Sequence, residues 1–311
     1  MKVVFMGSPG FAVPSLECLL RGGYEVAAVY TQPDRMGGRG RSLTASAVKS
    51  AAGALGLTVV QPQSLKAPEA VKQLVGFKPD IIVVAAFGQL LPKAVLELPR
   101  LGCLNVHPSL LPKFRGASPV AAAILAGEDF SGVSIMRLGE GMDSGPVLAR
   151  AQLPIADSDT TASLSQKLSI IGAGLLGEVL VRWVRGEIKP QPQDESKATY
   201  CQPITKDEGE IDWKLPAVEL WRRVRAFYPW PGSYSRWRGR TLKIIEAVPS
   251  TAATKAKAGE VVVLGSGGFG IGSGDGVLKI LRVQLEGKQT LSAAEFLRGQ
   301  RDFIGAVLPS S

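Results

Sequence analysis

The stretch Leu101-Gly102-Cys103-Leu104-Asn105-Val106-His107-Pro108 decides how this chain folds. Side chains alternate along extended backbone, so a strand here sends Asn105 and His107 to one side and Leu104 and Val106 to the other. Pro108 has no amide hydrogen to give a sheet, and the strand ends there. A neutral amide and an imidazole then stand together at the carboxyl end of a strand, where open α/β sheets place their ligands. His107 is the single histidine among 311 residues. Its imidazole is the side chain best suited to exchange a proton near neutral pH.

Upstream, short apolar runs at Val3–Met6, Val26–Tyr30, Thr58–Val60 and Ile81–Ala85 alternate with helix-like stretches at Phe11–Arg21, Thr44–Leu55, Ala67–Val75 and Pro92–Leu96. That alternation predicts an α/β domain, a Rossmann-like and mostly parallel sheet with helices on both faces. Downstream, Val133–Leu138 and Val147–Leu153 read as a hairpin joined by Gly139-Glu140-Gly141-Met142-Asp143-Ser144-Gly145-Pro146. Asp157-Ser158-Asp159-Thr160 offers a helix start, and Leu164–Trp183 has helical apolar spacing. Past Gly186 the composition changes. Glu187–Gln202 holds several Pro and Gln residues and no apolar periodicity, as a linker does. Beyond it lie a helical stretch, Leu215–Phe227, and short strand-like runs at Ser233–Trp237, Leu242–Val248, Gly259–Leu264, Gly268–Ile271 and Val277–Leu285. These predict a small OB-like β-barrel domain. Ser292-Ala293-Ala294-Glu295 fits a capping box that opens a late helix. The expected division is a catalytic domain over 1–189, a linker over 190–205 and a C-terminal domain over 206–311.

Bulk composition agrees with two domains of an ordinary globular protein, 45% hydrophobic and 20% charged. No apolar run approaches the roughly 18 to 20 residues of a membrane span. Met1-Lys2-Val3-Val4-Phe5-Met6-Gly7 reads as a first strand rather than a signal peptide. No membrane association is expected. Cys18, Cys103 and Cys201 are odd in number and widely spaced. They support neither a disulfide framework nor a zinc site, and they point to a reducing cytoplasm. The net charge of +9 is compatible with a polyanionic partner. Residues 206–311 hold 16 Lys/Arg against 11 Asp/Glu, so the basic excess is shared between the domains.

Several segments carry chemistry of their own. Ser109-Leu110-Leu111-Pro112-Lys113-Phe114-Arg115-Gly116 is apolar in its first half and flanked by prolines. It reads either as a slot for a flat heterocycle or as a buried structural loop. Asp143 lies between Gly141 and Gly145, which let the backbone bend a carboxylate back toward the sheet. Beside His107 it would orient the ring and stabilise its protonated form; otherwise it is a turn aspartate bonded locally. Arg35-Met36-Gly37-Gly38-Arg39-Gly40-Arg41 leaves the same edge of the sheet and suits a polyanion, or else is a solvated loop. In Trp221–Pro231 the spacing of Trp221, Val224 and Phe227 assigns the aromatics to the core and the arginines to solvent or RNA. The turn Gly7-Ser8-Pro9-Gly10-Phe11 lacks the G-x-G-x-x-G spacing, which argues against a nicotinamide dehydrogenase.

Together these pieces resemble the methionyl-tRNA formyltransferase family of folate-dependent formyltransferases, over nearly the whole chain. The motifs that carry the resemblance are Val3-Val4-Phe5-Met6-Gly7-Ser8-Pro9, Thr31-Gln32-Pro33-Asp34-Arg35, Asn105-Val106-His107-Pro108-Ser109-Leu110-Leu111-Pro112, Gly141-Met142-Asp143-Ser144-Gly145 and Arg225-Ala226-Phe227-Tyr228-Pro229-Trp230-Pro231. The resemblance implies 10-formyltetrahydrofolate as donor and the α-amino group of methionyl initiator tRNA as acceptor. It implies Asn105, His107 and Asp143 as the catalytic trio and Ser109, Leu110, Leu111 and Pro112 as the folate-contacting stretch, with Phe87-Gly88-Gln89 at its border. It implies that Arg39 enters the acceptor arm, and Arg41 beside it is a second expected tRNA contact. In the implied mechanism Asn105 and His107 hydrogen-bond the developing oxyanion while Asp143 holds His107 charged. No metal and no obligate protein partner are expected. The Asn/His/Ser-Leu-Leu-Pro motif with a later Asp is common to this chemistry, so a small amine on a nucleotide or nucleotide-sugar is the alternative acceptor. The additional domain over 206–311 argues for tRNA. An RNA-binding protein with a degenerate folate fold is a further alternative, against which the intact trio stands.

Overall fold

The computed structural model describes residues 1–37, 42–251, 255–265 and 267–310. In chain order the first part runs β1 (Lys2–Gly7), α1 (Val13–Arg21), β2 (Glu25–Tyr30), β3 (Arg35–Gly37), β4 (Ser42–Thr44), α2 (Ala47–Ala54), β5 (Val59–Val60), α3 (Pro68–Gly76), β6 (Ile81–Ala85) and α4 (Lys93–Leu96). It continues through β7 (Cys103–His107), β8 (Arg115–Gly116), α5 (Pro119–Ala126), β9 (Phe130–Arg137), β10 (Val147–Pro154), α6 (Thr161–Val184) and β11 (Tyr200–Cys201).

Seven of these strands form one sheet in the order β10-β9-β7-β6-β1-β2-β5. The five from β7 to β5 are parallel, and β9 and β10 extend the sheet antiparallel from β7. The strands β6 and β7 are buried at every position, as a sheet covered on both faces demands. The strand order reverses at β1, which has β2 on one side and β6 on the other. Ligand crevices of open α/β sheets form at the carboxyl ends of strands around such a reversal. β7 lies next to β6, with Asn105 opposite Val84.

One face of the sheet packs Val4, Met6, Ala28, Tyr30, Ile82, Val84 and Cys103 against Leu74 of α3 and Val95 of α4. Asn105 and His107 continue the alternation begun by Cys103, so they lie on that face. The opposite face receives α6. A Cβ on Gly172 would stand 2.9 Å from Val106 Cγ1, and one on Gly177 would stand 3.1 Å from Cys18 Sγ of α1. Bare glycines therefore let α6 lie close to both elements. Its 24 residues are long and apolar enough to cross a membrane, against the expectation that no apolar run approaches that length. Leu168, Leu176, Val179 and Leu180 are buried in the fold, which makes it a core helix here.

The chain divides into two compact units. The first is Met1–Pro119, Phe130–Pro154 and Ser165–Cys201, and the second is Val120–Asp129, Ile155–Leu164 and Gln202–Ser311. Two short excursions of the first half thus group with the second, because the second unit bonds them. Arg225 Nε donates to the Asp159 carbonyl at 2.8 Å and its Nη2 donates to the Ala156 carbonyl at 2.8 Å.

The second unit contains α7 (Ala217–Ala226), β12 (Ser233–Trp237), β13 (Arg240–Pro249), β14 (Val261–Leu264), β15 (Gly268–Gly272), β16 (Val277–Leu285), β17 (Thr290–Ser292) and α8 (Ala293–Gly299). Its antiparallel sheet runs β12-β13-β16-β15-β14, with β17 on β16. This is the strand-rich C-terminal domain that the short apolar runs predict. Its core centres on Phe303, whose ring meets Trp237 at 4.9 Å and Phe296 at 5.1 Å, both edge-on. The Ser292/Glu295 capping box opens α8 as its tetrapeptide predicts. One arginine of α7 differs from expectation. Arg225 does not face solvent or RNA but is 8% exposed, stacked 4.3 Å over Trp221 and spent on the carbonyls above. Its planar fork matches those acceptors, which a position-by-position reading of the helix could not foresee.

Candidate active site

Asn105 and His107 are 8% and 4% exposed at the end of β7. After Pro108 the chain is pinned to the sheet from below. Ser134 of β9 donates its Oγ hydrogen to the Ser109 carbonyl at 2.7 Å and accepts from Leu111 N at 3.1 Å. Ser109 Oγ donates to the Lys113 carbonyl at 2.6 Å, and Arg150 Nε donates to the Leu111 carbonyl at 2.8 Å. Leu111 packs with Met136 and Val147 in a small core of its own. Of the four expected folate contacts, Ser109 and Leu111 therefore spend their side chains on the fold, whereas Leu110 and Pro112 keep accessible surface. The loop is thus a buried structural loop for half of its length and open for the rest.

The segment expected to be a linker returns to this loop. Thr199 Oγ1 accepts from Phe114 N at 2.8 Å, its carbonyl accepts from Arg115 N at 2.8 Å, and β11 pairs in parallel with β8. Gly116 has φ of 112°, and a Cβ there would stand 2.4 Å from the Cys201 carbonyl, so only glycine admits the strap at this point.

His107 Nε2 lies 3.0 Å from the Phe114 carbonyl. A carbonyl only accepts, so that nitrogen carries the hydrogen. Nδ1 faces Asp143 Oδ2 at 3.7 Å, and the same Oδ2 accepts the Gly116 amide hydrogen at 2.9 Å. Asp143 holds left-handed backbone, φ 47°. Nearby, a Cβ on Gly145 would stand 1.9 Å from the Arg137 carbonyl, so the connection between β9 and β10 needs glycine there. Burial pulls the His107 imidazole below its ordinary pKa, against the upward pulls of Asp143 and the Phe114 carbonyl. Desolvation thus opposes the carboxylate that the sequence reading expected to hold the ring charged, and the contact with Phe114 places a ring hydrogen on Nε2.

Phe87-Gly88-Gln89 ties the ends of β1 and β6 together. Ser8 Oγ and Gln32 Nε2 donate to the Phe87 carbonyl at 3.2 and 3.1 Å. Gln89 accepts from Leu65 N at 3.0 Å and donates to the Pro62 carbonyl at 3.1 Å. Arg39 and Arg41 lie outside the described residues. β3 and β4, on either side of them, pair antiparallel.

Two residues of consequence escaped the sequence reading. Arg115 is completely buried. Its guanidinium donates to Gln193 Oε1 at 3.0 and 3.1 Å and to both oxygens of Glu195 at 2.7 and 2.8 Å. Gln193 in turn donates to backbone of the Asp143 turn, at the carbonyls of Asp143 and Gly145, at 2.8 and 2.7 Å. The polar composition of Glu187–Gln202 was the one signal of Gln193, and composition alone reads as solvation; Arg115 lies outside that stretch, in the loop after Pro108.

Residues 1–180 match the family described as Formyl transferase, and residues 203–301 match Formyl transferase, C-terminal domain. The chain is 51% identical to the methionyl-tRNA formyltransferase of Dehalococcoides mccartyi, over 99% of its own length and 98% of that protein. It is 47% identical to the methionyl-tRNA formyltransferase of Chloroflexus aggregans, over 96% of its own length and 97% of that protein. Among solved structures, HypX from Aquifex aeolicus in complex with tetrahydrofolic acid is similar in fold, with a TM-score of 0.64 and 22% identity over 96% of this chain. The chain spans about half of HypX, 47% of its length.

Proposed function

The chain belongs to the formyl transferase family, and from that premise we propose that Asn105, His107 and Asp143 carry formyl transfer from 10-formyltetrahydrofolate to the α-amino group of methionyl initiator tRNA. It is a formyl transferase that acts on methionyl-tRNA, and a folate is the formyl donor in our reading, supported by the bound tetrahydrofolic acid of a neighbour in fold. The 10-formyl form of the donor, the initiator preference and the residue roles are our reading. A small amine acceptor is not favoured, because the relatives that share both units are named for methionyl-tRNA.

The observation that carries the reading is the convergence on His107. Asn105 shares its face two residues away, and Asp143 Oδ2 stands 3.7 Å from Nδ1. The neutral amine attacks the formyl carbon, a C–N bond forms, and negative charge gathers on the formyl oxygen. Asn105 donates its amide hydrogen to that oxygen, the class of contact whose loss costs about 10²- to 10³-fold in turnover. His107 has its Nε2 hydrogen engaged by Phe114, so it is not the oxyanion donor in this reading. Its Nδ1 takes the proton that the amine sheds and returns it to folate N10 as the bond between N10 and the formyl carbon breaks. Asp143 stabilises the imidazolium in between, and a low resting pKa keeps the base available. The accessible parts of Leu110 and Pro112 line the folate side, and Arg39 and Arg41 hold the acceptor arm. The reading invokes no metal, and charged tRNA places the reaction in the cytoplasm with translation.

The test is formyl transfer from 10-formyltetrahydrofolate to methionyl initiator tRNA, with methionyl elongator tRNA, free methionine and a nucleotide-sugar amine as controls. Transfer to the initiator in strong preference supports the reading. Equal transfer to elongator removes the initiator assignment, and transfer to the small amine instead of tRNA overturns the acceptor.

A further inference from the structure

We infer that Gln193 is a positioning residue for the Asp143 carboxylate, held in its orientation by the Arg115–Glu195 pair. The inference rests on the reading of Asp143 as part of the active site.

Asp143 needs to be held. A non-glycine residue in left-handed backbone is strained and persists only where the surroundings over-determine it, and Asp143 has φ of 47°. Two bonds do so from opposite ends of the residue. The Gly116 amide donates to its Oδ2 at 2.9 Å, and Gln193 Nε2 donates to its backbone carbonyl at 2.8 Å. The same Nε2 donates to the Gly145 carbonyl at 2.7 Å, so one amide group spans the turn.

The Gln193 amide cannot turn over. An arginine only donates and a backbone carbonyl only accepts. Oε1 therefore faces Arg115 Nε and Nη2, and Nε2 faces the two carbonyls. Arg115 is fixed in turn by a bidentate pair with Glu195 and by the Tyr200 hydroxyl, which accepts from Nη1 at 3.1 Å. Such fork-to-fork pairs set direction as well as affinity. Glu195 holds the guanidinium firmly charged, and Arg115 draws the exposed Glu195 carboxyl below the usual range. Glu195, Arg115 and Gln193 thus form a relay of fixed orientation that ends on the Asp143 turn. Arg115 also follows the Asn/His strand by way of the loop. One guanidinium therefore references the carboxylate to the imidazole that it faces.

The discriminating variant is Gln193→Glu. A carboxylate still accepts from Arg115, so the buried cation keeps its partner, but it has no hydrogen for the Asp143 and Gly145 carbonyls. Turnover should fall about 10- to 100-fold, since misplacing a catalytic group by about 1 Å costs on that order. KM for methionyl-tRNA and for the folate should stay within about twofold, because no substrate contact is touched. The groups facing the His107 ring are Asp143 and the Phe114 carbonyl. Gln193→Glu also adds a negative charge, so the profile is read in Gln193→Leu, which adds none: a displaced Asp143 carboxylate pulls the ring's pKa up less, and the acid limb of the kcat–pH profile should move to lower pH. A merely structural lesion lowers the melting point and leaves that limb in place.

Two further measurements close the test. In an Asp143→Asn background, Gln193→Glu should cost less than about twofold, because a residue that acts through Asp143 has nothing left to position. Glu195→Ala, at a side chain 67% exposed, loosens Arg115 without touching Gln193. It should lower turnover about 3- to 10-fold, and it serves where Gln193→Glu does not fold. Equal losses with and without Asp143, or an unmoved acid limb in folded variants, overturn the inference. An active Asp143→Asn enzyme overturns instead the reading on which it rests.

Discussion

His107 Nδ1 and Asp143 Oδ2 stand 3.7 Å apart, beyond a direct hydrogen bond, while Gly116 holds the same oxygen at 2.9 Å. The carboxylate therefore acts on the resting ring through its charge. Catalytic hydrogen bonds that are long in a free enzyme tighten when substrates bind. Once Nδ1 has taken the amine's proton it can donate, and a shift of less than 1 Å then brings this pair into bonding range, on the order of what a loop adjusts on ligand binding.

Asn105→Ala should lower turnover by about 10²- to 10³-fold while KM for methionyl-tRNA stays within about twofold, since its amide is assigned to the transition state alone. Steady-state kinetics with both substrates varied checks it. Near-normal turnover would remove Asn105 from the mechanism.

Stability should depend on the one histidine. Burial holds His107 below its ordinary pKa in the folded chain, whereas the unfolded chain takes a proton through its normal range near 6.5. The unfolded state then binds more protons as pH falls through that range, so stability drops from pH 7.5 to pH 5.5. Urea midpoints at the two pH values should separate in the wild type and converge in His107→Gln. An unchanged separation in the variant would assign the pH dependence to other groups.

Gly116→Ala should be costly twice over. The added Cβ meets the Cys201 carbonyl, and the backbone φ of 112° suits only glycine. A loss of about 2–4 kcal/mol in urea unfolding is expected from overpacking and strain together. Turnover should fall as well, because this amide holds the Asp143 carboxylate. A stable and fully active variant would show that the strap yields freely.

Arg39→Ala and Arg41→Ala should raise KM for methionyl-tRNA with kcat little changed. Each should reduce the slope of log affinity against log salt by about one if each contacts a phosphate. A salt titration of tRNA binding separates this from a local folding effect, and an unchanged slope would make this a solvated loop.

Arg225→Ala should destabilise by about 1–3 kcal/mol, because the buried Asp159 carbonyl and the more exposed Ala156 carbonyl lose their donor and Trp221 loses its stacked partner. Thermal unfolding measures this loss. In protein that remains folded, affinity for tRNA should be unchanged.

Much of this was legible in the sequence because its causes are short-ranged. Alternation along Cys103–His107, the stop at Pro108 and the succession of apolar and amphipathic runs each depend on a few adjacent residues. They were enough to fix Asn105 and His107 to one face at the end of a strand, to locate the strands of a mostly parallel sheet along the chain, and to mark Asp143 as the carboxylate to bring near them. The α6 helix was legible as a helix but not as one apolar enough to span a membrane, because its small and polar residues break the run.

What only the tertiary structure decided depends on groups far apart in the chain. The side chains of Ser109 and Leu111 are committed to the fold because Ser134, Met136 and Val147 lie beneath them. Arg115 reaches Gln193 across 78 residues and Glu195 across 80, turning a stretch with the composition of a linker into a clasp on the Asp143 turn. The charge state of His107 was decided in the same way. The sequence by itself determined that an imidazole and a carboxylate are present and roughly where each one lies. Whether the carboxylate charges the ring is a contest between a Coulomb attraction at 3.7 Å and the loss of solvent around a buried ring, and only packing sets both.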